Sequence, residues 1–291
     1  MLRRIINRLS GDRRKNLKRK LFRYRYLYHK RLIGRYSRED FEIFLRESLK
    51  IRPGDHIMIH SSYEPLAYWG LQALEILSIL KDVITPEGVI LIPTFVTHNS
   101  REYVRECQSY NTERTPSTMG ILSELFRRQR DTVRSMDPLK PVAAWGKNRE
   151  DYIKEHHLSL YSYDEKSPFY KLAVNGGKVI GLGASIHYLT LVHTVEDIMG
   201  DSFPIRLYDR KIFDFTVTDP GGETLTVRKK IQENPFAHRM KIKKFCRNNI
   251  SNRTFRTFSH NLTPYFFCGA KGFVEEGIKA AESGITIYGK Y

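Results

Sequence analysis

The sequence predicts an α/β fold: three layers, α/β/α, with a mostly parallel central sheet and an inserted antiparallel hairpin. Short apolar runs at residues 56–60 and 89–93 are separated by a longer segment, residues 71–83, with apolar residues at helical spacing. The two short runs are continuous rather than alternating, which is typical of parallel strands buried on both faces. Residues 212–217 alternate instead, and the Pro-Gly-Gly turn that follows them indicates an antiparallel hairpin.

Length and composition indicate a globular protein. The 291 residues are 41% hydrophobic, which suffices for a sizeable core. No apolar run approaches the roughly 18 residues of a membrane span, and the N-terminus lacks a signal-peptide pattern. With three scattered cysteines that have no metal spacing, these features predict a cytoplasmic protein with reduced thiols and no metal. We expect one domain over residues 37–291, with an insertion at about 205–262.

Residues 1–36 form a basic N-terminal extension. They contain 14 Lys or Arg against the single acidic residue Asp12, and so carry most of the net charge of +17. Residues 1–9 combine apolar side chains at helical spacing with three arginines, as in short amphipathic helices on anionic membranes. Tyrosines interleaved with basic residues would also suit single-stranded nucleic acid, but no nucleic-acid-binding module follows, so we expect no specific nucleic-acid partner. A solvated tail, or an arm that contacts another subunit in an oligomer, is the alternative.

The domain begins with a capped helix. Ser37 can cap a helix over residues 41–49, and Asp40 can complete its capping box. An Arg-Pro-Gly-Asp turn at residues 52–55 then leads into the first strand. The later predicted elements are a helix at residues 121–128, a strand at 177–183, hairpin strands at 212–217 and 224–227, a helix at Ala270–Glu282 and a short β-like tail at 284–288.

Polar or aromatic residues follow the carboxyl ends of the first two strands. Ser61 and Ser62 come after the first strand, and Thr94 and Phe95 after the second. Ligand sites in parallel α/β sheets lie outside these strand ends, so we expect all four residues to border one crevice. The third strand closes on glycines and leads into residues 189–200, which should therefore hang over the same crevice.

Residues 189–200 carry the strongest catalytic pattern. If this stretch is helical, Thr190, His193 and Glu196 lie three residues apart and share one face. A carboxylate on one imidazole nitrogen leaves the other nitrogen free to take a proton near neutral pH, and a hydroxyl can donate a hydrogen bond. The alternative is a surface helix that carries His and Glu by chance.

A second candidate site is the Ser/Thr-rich turn at residues 115–120. A turn that opens a helix leaves free backbone N–H groups, which can bind a phosphate or carbonyl oxygen. Arg134 could pair with phosphate through its forked guanidinium. Most such turns simply cap their helix, and this alternative stays open.

Seven short motifs follow one another along the chain. They are residues 53–55 with the strand into His60-Ser61-Ser62, the turn at 86–88 with the strand into Thr94, residues 115–120, Arg134-Ser135, residues 144–146, Ser167-Pro168, and Thr190-x-x-His193-x-x-Glu196. In this order they resemble the aminoglycoside 3-N-acetyltransferase family. The resemblance covers roughly residues 45–200, with a weaker match of the C-terminal helix.

The resemblance implies an acyltransferase domain of three layers that moves an acyl group from coenzyme A to a sugar amine. It implies that His193 deprotonates the acceptor amine, that Glu196 orients His193, and that Thr190 holds or stabilises the thioester carbonyl. The donor would be acetyl-CoA or a short hydroxyacyl-CoA, and without a nucleophilic elbow we expect direct transfer in a ternary complex. The residues implied to line the coenzyme A site are His60, Ser61, Ser62, Thr115, Ser117, Met119, Gly120, Arg134 and Ser135.

The sequence departs from the family pattern on what the resemblance implies is the acceptor side. Asp137 stands where the family usually has His, and Pro141 replaces a typical Ser. Aminoglycosides are polycations that call for an acidic cleft, whereas this domain is mildly basic and residues 241–256 carry six Lys or Arg. A solvated basic face is the alternative for that stretch. We therefore predict a nucleotide-linked amino sugar as the acceptor, and the resemblance to family members that serve surface-polysaccharide biosynthesis implies a role in that process.

Two further functions stay open. One is acetylation of an aminoglycoside antibiotic within the same fold, which would confer resistance. The other is a non-catalytic membrane- or nucleic-acid-binding protein with an inactive core, against which the intact Thr190, His193 and Glu196 argue. The sequence leaves the oligomeric state open.

Overall fold

The computed structural model describes residues 16, 17, 20, 21, 24, 27, 36–97, 99–232, 239–261 and 263–291. Most of the predicted extension, including residues 1–9, lies outside the described residues, so its membrane contact stays a prediction. Where the chain is described, none of its helices is long and apolar enough to cross a membrane.

Helices alternate with strands along most of the described chain. The helices are α1 (Arg38–Glu47), α2 (Tyr63–Leu66), α3 (Ala73–Ile84), α4 (Ser100–Glu106), α5 (Ile121–Arg127), α6 (Arg149–Ile153), α7 (Pro168–Val174), α8 (Val192–Met199), α9 (Ile242–Asn249) and α10 (Ala270–Glu282), with 3-10 turns at Ala67–Trp69, Ile186–Tyr188 and Gly200–Ser202. The strands are β1 (His56–Ser61), β2 (Val89–Pro93), β3 (Ser109–Asn111), β4 (Val133–Arg134), β5 (Val142–Gly146), β6 (Lys178–Leu182), β7 (Tyr208–Thr218), β8 (Thr224–Gln232), β9 (Phe255–His260), β10 (Thr263–Gly269), β11 (Ile285–Thr286) and β12 (Gly289–Lys290).

The central sheet has the strand order β4-β5-β2-β1-β6-β10-β9. Its three middle strands, β2, β1 and β6, are parallel. On either side β5 folds back along β2 and β10 along β6, so both flanks are antiparallel. Because β4 and β9 reverse direction again, five of the seven strands point the same way. The predicted α/β fold with a large, mostly parallel sheet is confirmed, whereas the antiparallel flanks are not predicted from the sequence.

Successive side chains of β1 enter different hydrophobic clusters, as strand geometry requires. Ile57 and Ile59 belong to a cluster that includes buried residues of α1, α3 and α5. Met58 belongs to a second cluster, with buried residues of α7, α8 and α10. Apolar side chains are therefore needed at Ile57, Met58 and Ile59, which explains the continuous apolar run in the middle of this strand.

A smaller sheet has the order β3-β7-β8 and a core of its own. In it β7 pairs antiparallel with β8, and Phe215, Val217 and Val227 pack with Tyr110 of β3. The interval 205–262, predicted as one insertion, is therefore divided between two sheets. Strand β9 belongs to the central sheet, because its backbone pairs with β10 over six residue pairs.

Two glycines in positive-φ conformations allow a matched test of the sheet edge. Gly146 ends β5 at φ +104°, and a Cβ there would lie 2.0 Å from the carbonyl oxygen of Gly88. Gly54 has φ +80°, but a Cβ there would meet no atom within 4 Å. We expect Gly146→Ala to lower the free energy of unfolding by about 3 kcal/mol or more, and Gly54→Ala by about 1 kcal/mol, from the left-handed backbone alone. Equal losses in urea denaturation would show that the close backbone approach is relieved at no cost.

Candidate active site

Helix α8 begins at Val192, so Thr190 lies in the turn before it. The predicted common helical face of Thr190, His193 and Glu196 is therefore wrong for Thr190. The chain enters α8 from a 3-10 helix through a turn. In this turn the Thr190 side chain does not share the helical face of His193 and Glu196. The backbone N–H of His193 still donates to the carbonyl of Thr190 at 3.0 Å, so the two residues stay adjacent.

Within α8, His193 and Glu196 are in direct contact. Nδ1 of His193 lies 2.7 Å from Oε2 of Glu196. The carboxylate is almost wholly buried, with 1% of its side chain exposed, whereas the imidazole side chain keeps 15% exposed. The ring of Tyr163 packs against the imidazole, with 5.2 Å between ring centroids. The pair therefore presents a partly open imidazole backed by a buried acid.

Two residues from distant parts of the chain also hold Glu196. Gln232, the last residue of β8, donates from Nε2 to Oε2 at 2.9 Å, and the hydroxyl of Tyr288 donates to Oε1 at 2.9 Å. Burial, and then the nearby Glu196 carboxylate, raise the pKa of Tyr288 well above its ordinary value, so this hydroxyl keeps its proton. An ionised carboxylate can only accept hydrogen bonds, so His193 must carry its proton on Nδ1. Nε2 of the neutral ring is then free to accept a proton.

Thr190 contacts the first strand of the sheet. Its Oγ1 lies 3.2 Å from Nε2 of His60, near the carboxyl end of β1. Burial lowers the pKa of His60 to about 3, so its ring is neutral at physiological pH. This contact joins the end of β1 to the turn that leads into α8.

A cleft at the carboxyl ends of β1 and β2 collects several of the residues implied to line the coenzyme A site. Those that line it are His60, Ser61, Ser62, Met119 and Gly120. The large exposed side chains of Ile121 and Tyr188 line it as well. Thr115 and Ser117 lie outside the lining: the carbonyl of Thr115 accepts a hydrogen bond from Arg134, and the hydroxyl of Ser117 accepts one from the backbone of Met119.

Arg134 and Ser135 are buried away from this cleft. The guanidinium of Arg134 donates to the hydroxyl and carbonyl of Thr94 and to two carbonyls of the turn at residues 112–115. Ser135 Oγ lies 2.9 Å from Nδ1 of buried His156. The predicted phosphate contact of Arg134 is wrong, because a buried cation must be satisfied locally and these oxygens take four of its five N–H donors. Thr94 is buried, and its hydroxyl and carbonyl accept hydrogen bonds from Arg134, so it does not border the crevice.

The two positions that depart from the family pattern are also buried. Asp137 pairs with Lys229 of β8 at 2.5 Å, and neither side chain is exposed. Burial acts to raise the pKa of Asp137, but Lys229 and then His156 outweigh it and hold that pKa well below its usual range. The carbonyl of Pro141 accepts a hydrogen bond from the Thr94 hydroxyl at 3.1 Å. Both departures are thus part of the interior, and they give no information about the acceptor.

A second cavity lies beside Glu196, the acid that contacts His193. It is formed by Glu196, the segment before β7, and residues of β7 and β8. Its charged and aromatic lining includes Asp201, Asp209, Arg206, Arg210, Lys230, Tyr161 and Tyr208. Within the described ranges, no group of three or more His, Cys, Asp or Glu side chains is placed to hold a metal ion. The charged lining beside the base suits a polar acceptor.

One family match spans most of this architecture. The model of the aminoglycoside 3-N-acetyltransferase family matches residues 58–279, from β1 into α10. The chain belongs to the aminoglycoside 3-N-acetyltransferase family. The matched range contains His193, Glu196 and Gln232, and it ends before Tyr288.

Similar proteins of the aminoglycoside 3-N-acetyltransferase family come from several bacteria. The chain is 29% identical over 167 residues to the SPbeta prophage-derived aminoglycoside N(3')-acetyltransferase-like protein YokD of Bacillus subtilis (strain 168), covering 52% of this chain and 61% of YokD. It is 28% identical over 163 residues to aminoglycoside N(3)-acetyltransferase III of Pseudomonas aeruginosa, covering 52% of this chain and 60% of that protein. The matches thus span less than two thirds of either relative. A solved structure described as AAC-IIIb binary with CoASH has the same fold, with a TM-score of 0.67, 23% identity, and coverage of 84% of this chain and 96% of that one.

Three residues around the base of this family member are not predicted from the sequence. Gln232, Tyr288 and Tyr208 lie 12 to 95 positions from His193 or Glu196 and belong to no local motif. Only the pairing of β8 and the course of the C-terminal tail bring them to α8. The available signal was weak: Gln232 ends a strand that the sequence predicts too short, and Tyr288 falls in the predicted β-like tail.

The lowered pKa values of two buried histidines predict how the free energy of unfolding depends on pH. Burial lowers the pKa of His60 to about 3 and that of His156 to about 4, against about 6.5 in an unfolded chain. At a pH between the folded and unfolded pKa values, the unfolded chain binds two more protons than the folded one. The free energy of unfolding is therefore highest above pH 6.5 and decreases as the pH falls below it. We expect these residues to contribute a fall in the free energy of unfolding of up to about 2.7 kcal/mol per pH unit near pH 5. Urea denaturation of His156→Gln should show roughly half this contribution, and an unchanged slope would contradict the account.

Proposed function

We propose that this protein is a coenzyme A-dependent N-acetyltransferase that transfers an acetyl group from acetyl-CoA to an amine of an aminoglycoside. The observation that carries the proposal is the state of His193, whose Nδ1 is held by buried Glu196 while Nε2 is left free. A sugar ammonium must lose a proton before it can attack a thioester. A neutral imidazole is the side chain suited to take that proton near pH 7.

The proton and the acyl group move in one ternary complex. Nε2 of His193 takes a proton from the acceptor ammonium, and the nitrogen lone pair then attacks the thioester carbonyl carbon. The C–N bond forms, the carbonyl oxygen becomes an oxyanion, and the C–S bond breaks as the oxyanion collapses. The imidazolium of His193 gives its proton to the departing thiolate of coenzyme A, and the new amide nitrogen loses one proton to solvent. The products are therefore the N-acetyl sugar, free coenzyme A and one proton, and His193 is neutral again. Glu196 stabilises the imidazolium that forms between these steps.

The cleft at the ends of β1 and β2 is proposed to hold the acyl donor. It opens beside the turn that carries Thr190 and contains Ser61, Ser62 and Gly120. It lies outside the carboxyl ends of parallel strands, where α/β proteins place ligands. The similar structure described with CoASH supports coenzyme A as the co-substrate.

Thr190 is proposed to stabilise the oxyanion. The neutral ring of His60 can place its proton on Nε2 and donate to Thr190 Oγ1, across 3.2 Å. The Thr190 hydroxyl hydrogen is then free to point at the thioester oxygen. A donor preorganised in this way acts on the charge that develops in the transition state.

A nucleotide-linked amino sugar is the second candidate acceptor. The cavity beside Glu196 contains Arg206, Arg210 and Lys230, which could bind a diphosphate. Two of its acids, Asp201 and Asp209, would instead attract a polycation. The basic residues of α9 that suggested an anionic acceptor, Lys243, Lys244 and Arg247, form an exposed face and line neither cavity. The family match supports the aminoglycoside as the first candidate acceptor.

The base is tested by replacing His193. We expect His193→Ala to lower kcat for acetyl transfer by about 10²- to 10⁴-fold, since the acceptor loses its general base. His187→Ala, which removes an exposed imidazole six residues earlier, should keep wild-type activity. The measurement is release of free coenzyme A thiol from acetyl-CoA.

The same assay distinguishes the acceptors. Wild-type protein should turn over a kanamycin-type aminoglycoside faster than a UDP- or dTDP-linked amino sugar. The reverse order would establish the second candidate and refute the first. Retention of full activity by His193→Ala would remove the base from the mechanism, and no turnover of either acceptor class by the wild type would reject the enzymatic proposal.

A further inference from the structure

Gln232 joins the acid of the catalytic pair to a second buried acid. Its Nε2 donates to Glu196 at 2.9 Å and lies 3.4 Å from the hydroxyl of Tyr208. That hydroxyl donates in turn to the carboxylate of Asp197, which also accepts the backbone N–H of Tyr163. The amide cannot be flipped without cost, because its oxygen would then face a carboxylate oxygen with no proton between them. The contacts therefore fix Gln232 in one orientation.

The alternation of β8 places Gln232 on the same side as the cavity. Val227, Lys229 and Ile231 are buried, and the residues between them belong to the opposite face. On that opposite face Lys230 lines the cavity beside Glu196, and Gln232 reaches Glu196 itself. A shift of β8 by one residue would exchange the two faces and remove Gln232 from the acid.

The buried charge of Lys229 fixes this strand. Its ammonium pairs with Asp137 at 2.5 Å and donates to the carbonyl of His156 at 3.1 Å. The next residue, Lys230, donates its backbone N–H to the carbonyl of Leu160 at 2.9 Å. An unpaired ammonium in this position would be strongly unfavourable, so β8 is held in the register that keeps Lys229 on Asp137.

We propose that Gln232 is a positioning residue for the catalytic base, and that the buried Lys229–Asp137 pair is the anchor that holds it there. Gln232 keeps Glu196 Oε2 directed at Nδ1 of His193, and so keeps the proton on that nitrogen. It acts through Glu196 and does not touch the reacting atoms. This inference rests on the proposed function only in its kinetic consequence, because the state of the imidazole can be measured without substrate.

Two substitutions remove the donors of Gln232 in different ways. Gln232→Leu removes the amide without adding charge, and Gln232→Glu keeps the shape but, when ionised, cannot donate and places a second negative charge beside Glu196. We expect kcat to fall by about 10- to 100-fold in both, because the base is misplaced. KM for acetyl-CoA should stay within about twofold, because Gln232 does not line the donor cleft.

The tautomer of His193 can be measured directly from the ¹⁵N chemical shifts of its ring by NMR. The measurement uses no substrate and a pH where the ring is neutral. A purely structural role of Gln232 would leave these shifts unchanged. The wild type should show the Nδ1–H tautomer, and Gln232→Leu a mixture of tautomers. Gln129→Leu is the matched control, since it makes the same exchange two residues after the end of α5, and it should keep the wild-type shifts and kcat. Thermal unfolding of each variant verifies that it is folded.

The outcomes separate this inference from the function itself. A single Nδ1–H tautomer in folded Gln232→Leu, or an unchanged kcat, would overturn the positioning role. If Gln232→Leu does not fold, the tautomer in Gln232→Glu decides in its place. Absence of acetyl transfer in the wild type would reject the proposed function, yet a shifted tautomer in the variants would still support the role of Gln232.

Discussion

A buried carboxylate must be given hydrogen-bond donors, and in this protein Glu196 receives them from three separate parts of the chain. His193 comes from its own helix, Gln232 from the end of β8 and Tyr288 from the C-terminal tail. An ionised acid left without such partners is strongly unfavourable in the interior. The small sheet and the tail must therefore both be in place before α8 can present its imidazole. The position of His193 therefore depends on contacts from α8, β8 and the C-terminal tail together.

Two buried cations explain how the parts are joined. Arg134 binds Thr94, which follows the carboxyl end of β2, and the turn at residues 112–115 through backbone and hydroxyl oxygens. Lys229 binds Asp137, on the connection between β4 and β5, and so attaches β8 to the central sheet. Both cations bind groups of the protein interior and so stabilise the fold. The charges available to a substrate are instead those that line the cavity beside Glu196.

The fold is predictable where the signal is local. The capping box of α1, the buried runs of β1, β2 and β6, and the amphipathic helix α10 all follow from short patterns, and β2 and α10 have the predicted bounds. Strand β5 is not predicted, because Ala143, Ala144 and Gly146 are weak strand formers. Strand β10 is not predicted, because it contains Pro264 and ends at Gly269. In the site, the spacing of His193 and Glu196 is local and is found. The burial of Arg134 is set by tertiary contacts, so its fork resembles a phosphate site in the sequence alone.

The central claim is that Nε2 of His193 takes the proton of the acceptor amine beside the thioester. The most direct test is a crystal structure of the ternary complex with coenzyme A and an aminoglycoside. We expect the reactive amine to lie within hydrogen-bond distance of Nε2, about 2.6–3.2 Å, with the coenzyme A thiol in the cleft at the ends of β1 and β2. An amine held away from His193, with the thiol bound outside that cleft, would contradict it.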